Sequence, residues 1–300
     1  MTNARPEDTT AEIVLCGVPM DAGGSGRGAA GGPAAMRGAG IATIPGRTVI
    51  DGGDVEVPTD PDPWVVVRST CEAVRRATRD AVLAGRIPLT LGGDHALAAG
   101  SMSGVAAACR ALGSPSPGLL WIDAHADLNT LDTSPTGNPH GMPAASLLGH
   151  ENPAFASVIG GDGTFPRDRA CFIGCRELDP GERARLEAPG DPTLIDGDAL
   201  VARDLDDIAR EAIAIASPDG GPFAISFDID LIDPEEAPGI TLPAPGGPSS
   251  DRVFALLERL GRHPNLVAVD VVEVDPTRDR HGATSRFAVE AVSRLLGRHD

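Results

Sequence analysis

Short, continuously apolar runs alternate with longer amphipathic stretches along the whole chain. The short runs fall at 12–17 (EIVLCG), 48–50 (TVI), 87–91 (IPLTL), 118–123 (GLLWID), 170–174 (ACFIG), 193–195 (TLI), 222–228 (PFAISFD) and 265–274 (NLVAVDVVEV). Most are rich in Val, Ile and Leu and lack the alternation of a half-exposed strand, so they predict strands buried on both faces. Between them lie stretches with helical spacing at 65–85, 198–216 and 252–261. Strands of this kind separated by helices imply parallel neighbours joined by right-handed crossovers. The expected fold is a doubly wound, three-layer α/β/α domain around a mostly parallel sheet of about eight strands. No repeat or linker divides the chain. Pro-, Gly- and Ser-rich pieces at 112–118, 132–143, 159–166 and 234–250 sit between elements and read as loops of one domain spanning 1–300.

Composition narrows the partners. The formal net charge of −18 argues against nucleic acid, whose phosphates an acidic surface repels, and is compatible with cations. All 25 basic residues are Arg, and Tyr is absent. Five cysteines at irregular spacing (Cys16, Cys71, Cys109, Cys171, Cys175) read as buried free thiols in a reducing compartment. The first ten residues, MTNARPEDTT, contain no apolar core of a signal peptide, and no apolar run reaches membrane-spanning length. A cytoplasmic protein with no membrane partner is expected.

Candidate chemistry gathers where strands end. Asp123, His125 and Asp127 form an alternate-residue triplet after GLLWI, so all three can converge on one side. Three ionisable groups at the end of a buried strand are costly to desolvate without a cation. Asp228 and Asp230 follow PFAISF with the same alternation, and Gly92-Gly93-Asp94-His95 follows IPLTL. Glu273 follows NLVAVDVV. Any one of these is weak alone. Together they lie at the carboxyl ends of parallel strands, where open α/β sheets bind ligands. Two His and four Asp without thiolate suit a pair of Mn²⁺-like divalent ions, whose shared carboxylates can hold a bridging water and lower its pKa.

These motifs also carry a resemblance. From VPMDAGGSGRGAAGGPAAMR to the last helix, the chain is similar to the ureohydrolase family, with GGDH, DAHAD-LNT, SFDID-LIDP and VEVDP in the family's order. The resemblance implies two Mn²⁺ per subunit. One would be held by His95, Asp123, Asp127 and Asp228, and the other by Asp123, His125, Asp228 and Asp230. Within the family the chain resembles the arginase branch. TSPTGNPHGMP and LNT supply Asn129, Thr136 and Asn138, which resemble groups that bind an α-carboxylate. CRELDPGE supplies Asp179 and Glu182, which resemble groups that hold an α-ammonium. His140 resembles a proton shuttle, Glu273 the carboxylate that pairs with the guanidinium, and Asp127 a group that orients a metal-bridging hydroxide. The implied reaction is hydrolysis of L-arginine to L-ornithine and urea by a homo-oligomer, trimer or hexamer. Agmatinase, guanidino-acid hydrolase and a non-catalytic arginine-binding relative are the alternatives. Four positions depart from the pattern: Ala96 for Ser, Glu177 for Asp, Leu231 for Gly, and Leu242 for a Thr whose hydroxyl could support Glu273.

Two other readings weigh less. Gly26-Arg27-Gly28-Ala29-Ala30-Gly31 is a literal dinucleotide-binding pattern with Asp51 about twenty residues on. It begins several residues after its strand, however, and Pro33 marks a later helix start. A metallophosphoesterase would need a late paired-His motif, whereas His263, His281 and His299 stand alone.

Overall fold

A computed structural model describes residues 11–24, 28–188 and 190–298. The polar stretch 1–10, Gly26 and Arg27 of the glycine pattern, and His299 lie outside the described residues.

All eight expected strands form: β1 (Ile13–Val18), β2 (Val49–Asp54), β3 (Ile87–Gly92), β4 (Gly118–Ile122), β5 (Ala170–Ile173), β6 (Thr193–Ile195), β7 (Phe223–Asp228) and β8 (Leu266–Val272). They make one parallel sheet in the order β2-β1-β3-β8-β7-β4-β5-β6. Strands β3, β4, β5, β7 and β8 are buried at every residue, as uninterrupted apolar runs require. At one edge β2 (VIDGGD) is largely exposed, and its carboxylates Asp51 and Asp54 pair with Arg37.

The helices are α1 (Gly32–Gly38), α2 (Pro63–Leu83), α3 (Ala98–Ala111), α4 (Pro143–Leu147), α5 (Ala156–Ile159), α6 (Pro180–Leu186), α7 (Gly197–Ala202), α8 (Leu205–Ala216), α9 (Ser250–Gly261) and α10 (Ala283–Leu296). One apolar core joins the sheet to α1 and α7–α10, and a second joins its other face to α2–α5. The layers are therefore α/β/α. Helix α2 starts on Pro63 after Asp62, whose carboxylate accepts the Trp64 N–H. The stretch 198–216, read as one amphipathic segment, is two helices. The Asp204 carboxylate accepts the N–H groups of Asp206 and Asp207 and starts a new helix there. Helix α3 has no polar face to give it a period, because Ala98 through Cys109 are all buried. Its Gly100 and Gly104 lie against the backbone of α2, where an added Cβ would stand 2.3 Å from the Cys71 carbonyl and 2.4 Å from that of Arg75. No helix among the described residues is long and apolar enough to cross a membrane. The five cysteines are buried and form no disulfide with one another, and burial pushes the thiols of Cys16 and Cys171 up to about 11 and about 12.

Candidate metal centre

Four neighbouring strands, β3-β8-β7-β4, end beneath one spot. His95 follows β3, Glu273 follows β8, Asp228 closes β7 with Asp230 just beyond, and Asp123, His125 and Asp127 follow β4. In register, Ile122 pairs with Phe227, and Asp228 with Val272. Alternation then turns the carboxylates toward one another. Asp127 and Glu273 both adopt left-handed backbone, with φ of 50° and 67°. Such conformations cost a non-glycine residue about 1–3 kcal/mol and persist where surrounding contacts fix them.

The His95 Nδ1 stands 3.1 Å from Asp123 Oδ2, 3.0 Å from Asp127 Oδ2 and 3.1 Å from Asp228 Oδ2, yet it is buried and makes no hydrogen bond. His125 Nδ1 lies 2.8 Å from Asp230 Oδ2 and 3.6 Å from Asp123 Oδ1. Asp123 thus turns one oxygen to each imidazole. Two groups, His95-Asp123-Asp127 and Asp123-His125-Asp230, bring their donor atoms close enough to hold an ion each. Cys175 is not among the donors, since its thiol donates to the His125 carbonyl at 2.9 Å. Two imidazoles and four carboxylates fit divalent ions of intermediate hardness.

Electrostatics agree with that fit. Burial and the charges of Asp230 and Asp123 raise the Asp228 carboxyl well above its ordinary range, and burial with Asp123 pushes Asp230 up to about 6. Burial alone would lower His95, but its three carboxylate neighbours hold it well above the ordinary imidazole value. Burial likewise opposes ionised Asp123, yet the two imidazoles pull it well below the usual carboxylate range. Bound cations would supply the positive charge that protons supply otherwise.

A second cluster adjoins the first. Glu273 Oε1 accepts the His95 backbone N–H at 2.8 Å and lies 3.9 Å from His140 Nδ1. Its Oε2 is buried without a partner, as is the Thr241 hydroxyl. Burial opposes the Glu273 charge, but His140, Thr241 and the His95 N–H hold its carboxyl below the ordinary value. Burial would lower His140, while Glu273 outweighs it and raises the imidazole to about 9. Asn129 is buried, donating to Asp179 Oδ2 at 2.9 Å and accepting from the Thr133 hydroxyl at 3.0 Å. Glu182 is buried, and its two oxygens accept the N–H groups of Leu128 and Asp179, each at 2.9 Å. It therefore ties the start of α6 to the segment after Asp127. Thr136 is exposed and Asn138 half-buried, and Asn138 lines a cleft of about 480 Å³ with Met20, Val57 and Trp64.

The structure corrects one expectation from sequence. Leu242 points to the surface at 38% exposure, and the neighbouring Thr241 supplies the hydroxyl at Glu273. A buried hydroxyl near Glu273 is thus present one residue earlier than the sequence pattern places it. Leu231 is buried, and its side chain lies where a Cβ on Gly174, at φ 98°, would stand. Ala96 is buried, and Glu177 is exposed. Sequence reasoning did not single out Thr133, Ser226, Thr241 or Asp270. Asp270 carried a signal, a lone charge inside the apolar run LVAVDVV, fully buried in β8.

The arginase family model matches residues 11–297. The chain is 36% identical to the arginase of Brevibacillus brevis, over 94% of this chain and 97% of that one. Among solved structures it is similar to the arginase of Bacillus caldovelox, with a TM-score of 0.88 and 31% identity over 96% of this chain and 99% of that one. It is also similar to the arginase of Entamoeba histolytica solved with L-ornithine, with a TM-score of 0.86 and 26% identity over 96% and 99% of the two chains. A family match of this extent, a shared fold and a strand-end Asp/His cluster together mean that the chain belongs to the arginase family and is an arginase-type ureohydrolase.

Proposed function

We propose that this chain hydrolyses L-arginine to L-ornithine and urea, with two Mn²⁺ held by His95, Asp123, Asp127 and Asp228 on one side and by Asp123, His125, Asp228 and Asp230 on the other. The observation that carries the substrate is Glu273 Oε2, a buried carboxylate oxygen without a hydrogen-bond partner, beside the Asp/His cluster. Orphaned acceptors cost free energy unless a ligand supplies donors, and a planar guanidinium carries five. When bound, the ions supply the Lewis acidity that lets water act as nucleophile at neutral pH. Glu273 binds and orients the guanidinium so that its central carbon faces that water. Asp127, held at the cluster by its left-handed backbone, accepts a hydrogen bond from the water and fixes its direction of attack. His140 carries a proton at neutral pH, and its ring adjoins Glu273, so it can protonate the leaving amine as the carbon–nitrogen bond breaks. Asn129 meets the α-carboxylate from the buried side, Thr136 and Asn138 meet it from the exposed side, and Asp179 meets the α-ammonium. Glu182 acts by holding the Asp179 loop in place. The L-ornithine bound by the similar Entamoeba arginase is the product this reading requires.

Urea release from a panel of guanidino compounds after manganese loading tests the proposal. L-Arginine should exceed agmatine, which lacks the α-carboxylate. Of the three groups only Asn129 is buried, and a buried polar group left unpaired costs about 1–3 kcal/mol, so the preference in kcat/KM should be about tenfold to a hundredfold. Equal values for the two compounds would show that these residues do not read the amino-acid end.

A further inference from the structure

A buried hydrogen-bonded chain runs from the sheet interior to His95. His95 Nε2 lies 2.8 Å from the Ser226 hydroxyl, and that hydroxyl donates to Asp270 Oδ1 at 2.7 Å. The other oxygen, Asp270 Oδ2, accepts from Ser101 on α3 at 2.6 Å. All four of these side chains are buried, and the His95 ring stacks on Trp121 with centroids 4.2 Å apart and planes 8° from parallel.

From this chain we infer that Asp270 is a positioning residue that sets the tautomer of His95 and so presents the Nδ1 lone pair to an ion. A serine hydroxyl has one hydrogen. Ser226 gives it to Asp270, which as an acceptor-only carboxylate offers none in return. The Ser226 oxygen can then only accept, and the hydrogen between it and the imidazole belongs to His95 Nε2. In the neutral ring that binds an ion, Nδ1 is left free of its hydrogen on the side of Asp123, Asp127 and Asp228, 3.0–3.1 Å away. Trp121 fixes the ring plane and Asp270 fixes the proton. Partners behind a ligating histidine commonly have this effect on a metal site. Because Ser101 belongs to α3, the chain also anchors the site to the helix layer behind β3.

Asp270→Asn keeps the shape and removes the logic. Its amide nitrogen can donate to Ser226, which then turns its own hydrogen to His95 Nε2 and drives the imidazole proton onto Nδ1. Ser226→Ala cuts the same chain without changing a charge, and it carries the test if Asp270→Asn fails to fold. This inference rests on the two-metal reading, so wild-type and variant proteins are titrated with Mn²⁺ by calorimetry, alongside thermal unfolding of the metal-free forms. Wild type that takes fewer than two ions overturns both readings. Two ions in wild type, with one binding step weakened tenfold to a hundredfold in each folded variant and the other step unchanged, supports Asp270 as the positioning residue. Unchanged affinities overturn it. So does a loss shared equally by both steps together with a lowered unfolding temperature, which is what a merely structural role gives.

Discussion

Glu273 and Thr241 show how much of the site depends on single atoms. Each presents a buried oxygen without a partner, and each belongs to a different segment, one after β8 and the other in the loop after β7. The two segments meet through a bridge between Ile240 and Val274, and Arg278 holds the Thr241 carbonyl at 3.2 Å. The hydroxyl is thus delivered by a braced loop. Thr241→Val should lower kcat/KM for L-arginine about tenfold to a hundredfold, because a hydrogen bond at a charged group is worth about 1.5–3 kcal/mol. Leu242→Ala, on the surface one residue later, should leave it unchanged. Steady-state urea assays on the two variants separate them, and a loss in the second with none in the first would reverse the assignment. The metal-binding candidates were legible residue by residue, because carboxylates and imidazoles at strand ends have few cheap structural explanations. Thr241 was not, since in PGITLP nothing distinguishes the residue that turns inward from its neighbour. Glu182 looked like a ligand-binding carboxylate, and only the positions of two backbone N–H groups show that both its oxygens are already occupied.

At the scale of elements, the strands were readable and some helices were not, for one physical reason. Burial on both faces leaves β3, β4 and β7 as plain apolar runs, which a reader of sequence can find. The same complete burial erases the polar stripe of α3, leaving AAGSMSGVAAACRA without a period. Small residues there serve close approach to α2. Gly100→Ala would push a Cβ against the Cys71 carbonyl, and Gly104→Ala would meet that of Arg75. Because backbone cannot yield as a side-chain tip can, Gly100→Ala should destabilise the fold by about 1–3 kcal/mol, the usual range for overpacking. The substitution would also displace Ser101 and, through it, Asp270. Thermal unfolding of the metal-loaded protein checks this, and an unchanged midpoint would mean that α2 and α3 separate easily. The break at Asp204 was hidden for another reason. Its side chain caps α8 within a segment whose apolar spacing continues smoothly across it, so periodicity alone could not locate the boundary.

For the whole molecule, the acidic balance and the site make one electrostatic problem. The net charge of −18 favours a cationic substrate at a distance, but four buried carboxylates at one point oppose folding when no cation is present. Without ions the folded chain holds protons instead. Asp230 is pushed up to about 6 from an ordinary 3.8, first by burial and then by Asp123, and Asp228 lies well above the same ordinary value. His95 and His125 are raised above 6.5 against the pull of burial by the carboxylates around them. From about pH 4 upward these cluster groups therefore bind more protons in the metal-free native state than in the unfolded chain, while His150, lowered to about 4 by burial, works in the opposite direction between about pH 4 and its ordinary 6.5. Stability changes with pH as the protons bound in the unfolded state minus those bound in the native state, so here it falls as pH rises. Asp123, lowered instead of raised, works in the opposite direction only below its ordinary 3.8. Bound ions replace those protons and compete with them, so the stabilisation they confer grows with pH. Unfolding temperatures of chelator-treated and Mn²⁺-loaded protein should lie closest near pH 4.5 and diverge by several degrees or more by pH 8. The metal-free curve should fall across that interval. Parallel curves would mean that the cluster exchanges no protons for ions, and the carboxylates would then have to be neutralised by groups outside the site.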